Sequence, residues 1–324
     1  MKRLFLFFML LPCLVWMLPG CSPVVRVAAQ KPAEVALPGI HSLSVGDFQG
    51  RMGMETRRCF VDTLRASERF RIEISASAAV RVDISESLQD RRGADKRTYT
   101  SMRTRTVTVR DAGGNVLRSY TEEIPEERVE SIPYVRRQAR VDVRMLVESG
   151  GRVLALEETS QRLERRYGGV DCAHSGADCP EGAAPLSDMP SARSSLEILA
   201  CQAGRELAEK LLPQAYEVRI PLDESGGDLV EQGVGMASDG AWAEALRLWQ
   251  RALAENPNNA SALYNLGVLY ERSGSLDELH QAQNFYAQAA SLEPKELFFQ
   301  AGQRIVRRIQ DVKELQRRQL DYEQ

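Results

Sequence analysis

Between Leu229 and Pro294 one arrangement of small and large residues occurs twice, and it limits the fold of this part of the chain more than any other feature. Gly233, Ala245, Trp249, Ala252 and Pro257 make the first occurrence; Gly267, Ala282, Tyr286, Ala289 and Pro294 make the second, with a few extra residues before Ala282. A glycine on one helix lets a second helix approach closely, an aromatic residue fills the space between them, and a proline stops the second helix. Such a unit cannot bury its apolar face alone, so successive units must stack.

Leu229, Met236 and Gly240, then Leu263, Leu266, Tyr270 and Gly274, complete a pattern that resembles the tetratricopeptide repeat. The resemblance implies two all-α repeats over 229–294, with Trp249, Tyr270 and Tyr286 as core residues and a protein partner in the concave groove. The groove positions are Val230, Val234, Ala237, Tyr264, Val268 and Glu271. This set lacks the Lys and Asn residues by which some repeats grip a terminal carboxylate, so an apolar or mixed segment is the expected occupant. Residues 295–324 place Phe298, Ile305, Ile309 and Val312 on one side of a helix and read as a cap.

Upstream, the period changes from helical to two. Leu43-Ser44-Val45 predicts a strand, Met54 to Ala66 a helix, and Phe70, Ile72 and Ile74, then Val80, Val82 and Ile84, two further strands. A hairpin is predicted over Lys96 to Glu123 and another from Val141 through the Gly150-Gly151 turn to Leu156. Leu196, Leu199, Ala200, Ala203, Leu207 and Leu211 predict a helix ended by Pro213, and Tyr216, Val218 and Ile220 a closing strand. The expected fold is an α/β domain over 39–222 with a mainly antiparallel sheet, joined by a linker at 223–228 to the helical repeats.

The element order, with Gly46-Asp47-Phe48, Ser67-Glu68-Arg69-Phe70 and the Arg140 to Glu157 hairpin, is similar to the periplasmic domain of the curli-secretion-channel lipoprotein family. That resemblance implies an alternative function as a subunit or accessory factor of an outer-membrane secretion channel, and leaves a homo-oligomer open. Against a channel, spanning strands need an apolar lipid-facing side, whereas Lys96 to Arg110 carries Arg103 and Arg105 on one face and mostly threonine on the other.

Met1-Lys2-Arg3 followed by the apolar run Leu4 to Leu18 has the form of a secretory signal over 1–20. Leu18-Pro19-Gly20-Cys21 resembles a lipobox, which implies acylation, including palmitate, at Cys21, and Ser22 in place of Asp implies outer-membrane sorting, facing the periplasm. Residues 21–38, rich in Pro, Ala and Val, read as an acylated tether.

An exported chain can keep disulfides. Cys172 and Cys179 flank a short loop and are the leading pair, while Cys59 and Cys201 fall on two predicted helices. The alternative of a metal at Cys172, His174 and Cys179 with Asp171 or Asp178 lacks the paired knuckles of structural zinc sites. The balance of 42 basic and 45 acidic residues gives no polyanion-binding bias, so no nucleic acid is expected. His41, His174 and His280 are scattered, and no nucleophile elbow or phosphate-cradling loop accompanies them. The reading is a non-enzymatic interaction scaffold without a cofactor, bound to the membrane by lipid and to a protein by its repeat groove.

Overall fold

The computed structural model describes residues 23–172 and 179–323. Its elements are β1 (Val24–Lys31), β2 (Ser42–Val45), α1 (Gly53–Ala66), β3 (Arg71–Ile72), β4 (Ala78–Arg110), β5 (Val116–Ser149), β6 (Arg152–Gly168), β7 (Ala183–Ala184), α2 (Ala192–Lys210) and β8 (Gln214–Pro221). Five helices follow: α3 (Asp228–Ser238), α4 (Trp242–Glu255), α5 (Ala260–Ser273), α6 (Leu276–Leu292) and α7 (Glu296–Glu323). Two compact units divide the chain. One comprises Ala33–Pro213; the other joins Gln214–Leu320 to the N-terminal segment ending at Pro32.

The first unit is an α/β fold whose sheet has the order β3-β2-β4-β5-β6-β7. The long ladders β4–β5 and β5–β6 are antiparallel, while β2 pairs in parallel with β3 and β4, and β6 with β7. Alternation puts Val80, Val82, Val141, Val143, Met145 and Val147 on one face, all buried beneath α1 and α2. The helices cross closely because Gly204 lies against the backbone at Thr56, where a side chain would overlap the Thr56 carbonyl oxygen. Beside that crossing Cys59 and Cys201 are joined, with Cα atoms 5.2 Å apart.

A buried cation ties the sheet to the start of α2. Arg137 of β5 donates from Nε and Nη2 to Asp90 of β4, both at 2.7 Å, and from Nη1 to the Pro190 carbonyl and Ser195 Oγ. Ser191 caps that helix by accepting from the Ser194 amide.

Beyond Tyr134, which pairs with Gly168, β5 loses β6 as a neighbour, yet β4 and β5 run on together to the Asp111–Asn115 turn. Residues 94–133 therefore form a projecting two-stranded ribbon. The two predicted hairpins thus share the single strand β5, and β4 is continuous from Ala78. At the base of the ribbon the ring of Tyr134 covers Gly93, where no side chain would fit, and the Arg166 guanidinium lies 3.9 Å from the centre of that ring. Asp95 accepts from the Val170 amide and from Arg166, an arrangement that holds its pKa below the usual range.

Several boundaries differ from the sequence reading. The strand expected through Phe70, Ile72 and Ile74 is only Arg71–Ile72; Phe70 is buried but Ile74 is fully exposed, since pairing with β2 stops at Ile72. Val24–Lys31, expected within a tether, is a strand. It pairs antiparallel along its whole length with Gln214–Pro221, which therefore does not close the α/β sheet. The physical reason is burial: Val25, Val27, Ile220 and Leu222 enter the core of the helical unit. That unit thus begins at Gln214, ahead of the expected linker.

The linker is itself fixed to α5. Asn265 brackets the Asp223 backbone with bonds of 3.0 and 2.8 Å, Asn259 Nδ2 donates to the Gly226 carbonyl, and Ser261 and Lys295 both donate to the Asp223 carboxylate. Burial alone would raise the Asp223 pKa, but these donors lower it on balance. Among the described residues, no helix is long and apolar enough to cross a membrane.

The signal segment and Cys21 lie outside the described residues, as do His174 and Asp178 of the metal alternative. Cys172 and Cys179 are joined to each other, Cα atoms 5.3 Å apart, so neither offers a thiolate.

Candidate protein-interaction surface

The helical unit is built on two nested pairs. In α3–α4 the Trp249 ring lies directly over Gly233, where a methyl group would overlap it, and its Nε1 donates to the Val230 carbonyl at 3.3 Å. In α5–α6 the Tyr286 ring covers Gly267 in the same way. Trp249 and Tyr286 are fully buried, and Tyr270 stacks on Phe285 with ring centroids 5.4 Å apart. Asn259 and Ser275 cap α5 and α6 through their side chains, and Gly274, at φ 77°, ends α5 in the left-handed conformation.

The helix α7 packs next to α5 and α6 through Phe298, Ala301, Ile305 and Ile309. It presents Arg304 towards Tyr286, and its guanidinium turns back to Glu271. Nε donates to Oε1 at 3.0 Å and Nη2 to Oε2 at 2.9 Å, while Arg308 adds a bond to Oε1 at 3.3 Å. Tyr286 donates its hydroxyl to Glu271 at 2.6 Å. Burial pushes the Glu271 pKa up, but the Arg304 guanidinium and the other donors outweigh it, and the carboxylate stays ionised below its ordinary range. Burial of the Tyr286 hydroxyl, and then the negative charge of Glu271 beside it, raise the pKa of that hydroxyl well above normal.

All six expected groove residues belong to this interior. Val230, Val234, Tyr264, Val268 and Glu271 have no exposed surface, and Ala237 has 3%. Other elements of the same unit, the β1–β8 ribbon and α7 among them, enclose them. Tyr264 donates to the Pro221 carbonyl at 2.7 Å and stacks on Phe298 at 4.9 Å, and Arg308 Nη2 donates to the Ala28 carbonyl at 3.1 Å. The expectation that these six residues are an open partner site is therefore corrected: the chain's own strand pair lies where a guest segment was expected. Period two in Val25, Val27 and Ala29 and in Val218 and Ile220 was the available signal.

What the unit leaves open lies elsewhere. On α7, Phe299 and Val306 are 48% and 39% exposed, and with Ala287 and Ala290 of α6 they line a shallow apolar cleft rimmed by Gln283, Gln303 and Arg307.

Nested antiparallel pairs with glycine under an aromatic ring define a helical repeat protein, and the tetratricopeptide repeat family matches residues 237–274. Similar proteins include the Photosystem I assembly protein Ycf3 of Synechococcus sp. (strain CC9605), 32% identical over 111 residues, or 30% of this chain and 63% of that protein. The protein of the same name from Prochlorococcus marinus (strain MIT 9303) is 39% identical over 80 residues, 24% of this chain and 45% of its own length. The chain spans less than two thirds of the length of these relatives.

Proposed function

We propose that the protein is a lipid-anchored, non-catalytic scaffold of the cell envelope that holds a protein partner through its repeat unit. The observation that carries this reading is the pair of nested repeats, Gly233 under Trp249 and Gly267 under Tyr286. Stacked helix pairs of this kind present extended surface for protein recognition. The relatives are named for the assembly of photosystem I. Assembly is the part carried over; the photosystem is not.

The lipid anchor is read from Leu18-Pro19-Gly20-Cys21. Because β1 starts at Val24, acylation of Cys21 would hold the repeat unit within roughly 10 Å of the bilayer surface, at ~3.5 Å per residue. Several acyl chains at ~0.8 kcal/mol per buried methylene would make that attachment stable, on the periplasmic side of the outer membrane as the Ser22 sorting rule implies. With the groove filled by β1 and β8, the partner meets the cleft at Phe299 and Val306.

Two measurements test the reading. Cys21→Ser should move the protein from carbonate-washed membranes to the soluble periplasm; retention would remove the anchor. Crosslinking in the native membrane should recover a defined protein with wild type and lose it with Phe299→Asp/Val306→Asp of unchanged helical content. Equal recovery by both would move the partner site off α7.

A further inference from the structure

Beyond Ile309, the last of its core residues, α7 runs on, and its next turns meet the end of β1 and the start of β8. Between them lies a cleft of about 770 Å³, walled by Ala28, Ala215, Tyr216, Val312 and Leu315 and bounded by Ser273 and Gly274 at the end of α5. All of these residues belong to the helical unit. Small-molecule sites occupy roughly 300–1,000 Å³, are lined mostly by apolar atoms and hold a few fixed polar groups that orient the ligand. The cleft has that size and that lining. Its fixed polar group is Arg308.

Arg308 is buried, and its guanidinium is held in place. Nη1 donates to the Glu271 carbonyl at 3.0 Å and to Glu271 Oε1 at 3.3 Å, and Nη2 donates to the Ala28 carbonyl at 3.1 Å. A guanidinium has more N–H donors than these bonds use. Two of the three acceptors are neutral, and the charged one, Glu271, is already matched by Arg304 through two shorter bonds. Two cations thus share one carboxylate at the wall of an apolar cleft. A buried charge is costly unless an opposite charge offsets it, so the site favours an anion.

The neighbouring acids do not remove this excess. Glu217, at the rim, lies 3.7 Å from Arg26. Asp311, one turn beyond Arg308, feels Lys31 and Arg307 as well as Arg308, so cations outnumber acids there too.

We propose that this cleft binds a small aliphatic carboxylate, of the size of a medium-chain fatty acid, with its carboxylate on Arg308 and its chain along Ala28, Ala215, Val312 and Leu315. A peptide would need partners for its amides as it left water, and the Ala28 carbonyl at this wall is already taken by Arg308. An alkyl chain needs only carbon beside it. The proposal uses neither the acyl anchor nor the cleft at Phe299 and Val306, so it can fail while the scaffold reading stands.

Equilibrium dialysis of the full chain in mild detergent, with isotopically labelled octanoate or octanol and with detergent alone as the blank, tests it. Octanoate is expected to bind at one site per chain, at least about tenfold more tightly than octanol, the worth of one charge-assisted hydrogen bond. Leu315→Trp fills the cleft from its wall, away from the Glu271 bonds, and should abolish binding of both compounds with helical content unchanged. Arg308→Gln should bring octanoate down to the level of octanol. Because that second variant also disturbs Glu271, the comparison of octanoate with octanol on wild type carries the test of charge, and Leu315→Trp carries the test of place. Equal binding of octanoate and octanol by wild type would overturn the proposal. So would octanoate binding unchanged by Leu315→Trp, or tighter binding of an amidated octanoyl compound than of octanoate.

Discussion

Glu271 and Arg304 form a two-pronged ion pair that joins α5 to α7, with both bonds at 2.9–3.0 Å and the carboxylate entirely out of water. The guanidinium also reaches the Tyr286 hydroxyl at 3.4 Å, so the pair sits against the aromatic residue that closes the second repeat. A buried pair of this kind adds little over apolar packing, yet breaking it leaves a charge without compensation. Glu271→Gln should therefore destabilise the repeat unit by about 3–5 kcal/mol at neutral pH, measured by denaturant unfolding followed at the tryptophans.

The same carboxylate sets an acid response. Because its folded-state pKa is lowered, its contribution is complete above the ordinary glutamate range and is lost as the pH falls through the depressed folded value. Wild type should lose stability over that acidic window more steeply than Glu271→Gln. Parallel slopes in a pH series of unfolding curves would show that the carboxylate is not coupled to folding.

Tyr264→Ala should unfold the repeat unit rather than spare it. The substitution opens a cavity between Tyr286 and Phe298 and removes the hydroxyl donor to the Pro221 carbonyl. Large aromatic truncations in cores cost about 3–5 kcal/mol. Circular dichroism during thermal unfolding should show a strongly lowered midpoint, whereas Tyr264→Phe should lose about 1 kcal/mol, the worth of one hydrogen bond.

Gly267→Ala tests the nesting. Its methyl group would overlap the Tyr286 ring, which is fixed by Glu271, so a cost of about 1–3 kcal/mol from overpacking is expected. Gly235→Ala, on a helix surface with open space around it, should be neutral or slightly stabilising. Equal effects at the two positions would argue against close approach as the role of Gly267.

In the α/β unit, Cys59→Ser should lower stability by about 2–5 kcal/mol by releasing a long cross-link between α1 and α2. The change should appear in the unfolding of this unit under oxidising conditions and vanish when wild type and variant are compared in reductant.

Read alone, the sequence determined whatever depends on residues close in the chain. The spacing of Gly233 and Trp249, and of Gly267 and Tyr286, specified helix pairs because nesting needs those sizes at those positions. The alternation of Val80, Val82, Val141, Val143 and Met145 specified a sheet with one buried face. Tertiary structure decided what depends on partners far apart. The alternation in Val25, Val27 and Ala29 is local, but Val24–Lys31 is too distant from Gln214–Pro221 in the chain for that pattern to announce the pairing, in which β8 satisfies its backbone and the repeat core takes its valines. That pairing, together with α7, helps to keep Val230, Val234, Ala237, Tyr264, Val268 and Glu271 off the surface, since a groove position is exposed only if nothing else in the chain fills the groove.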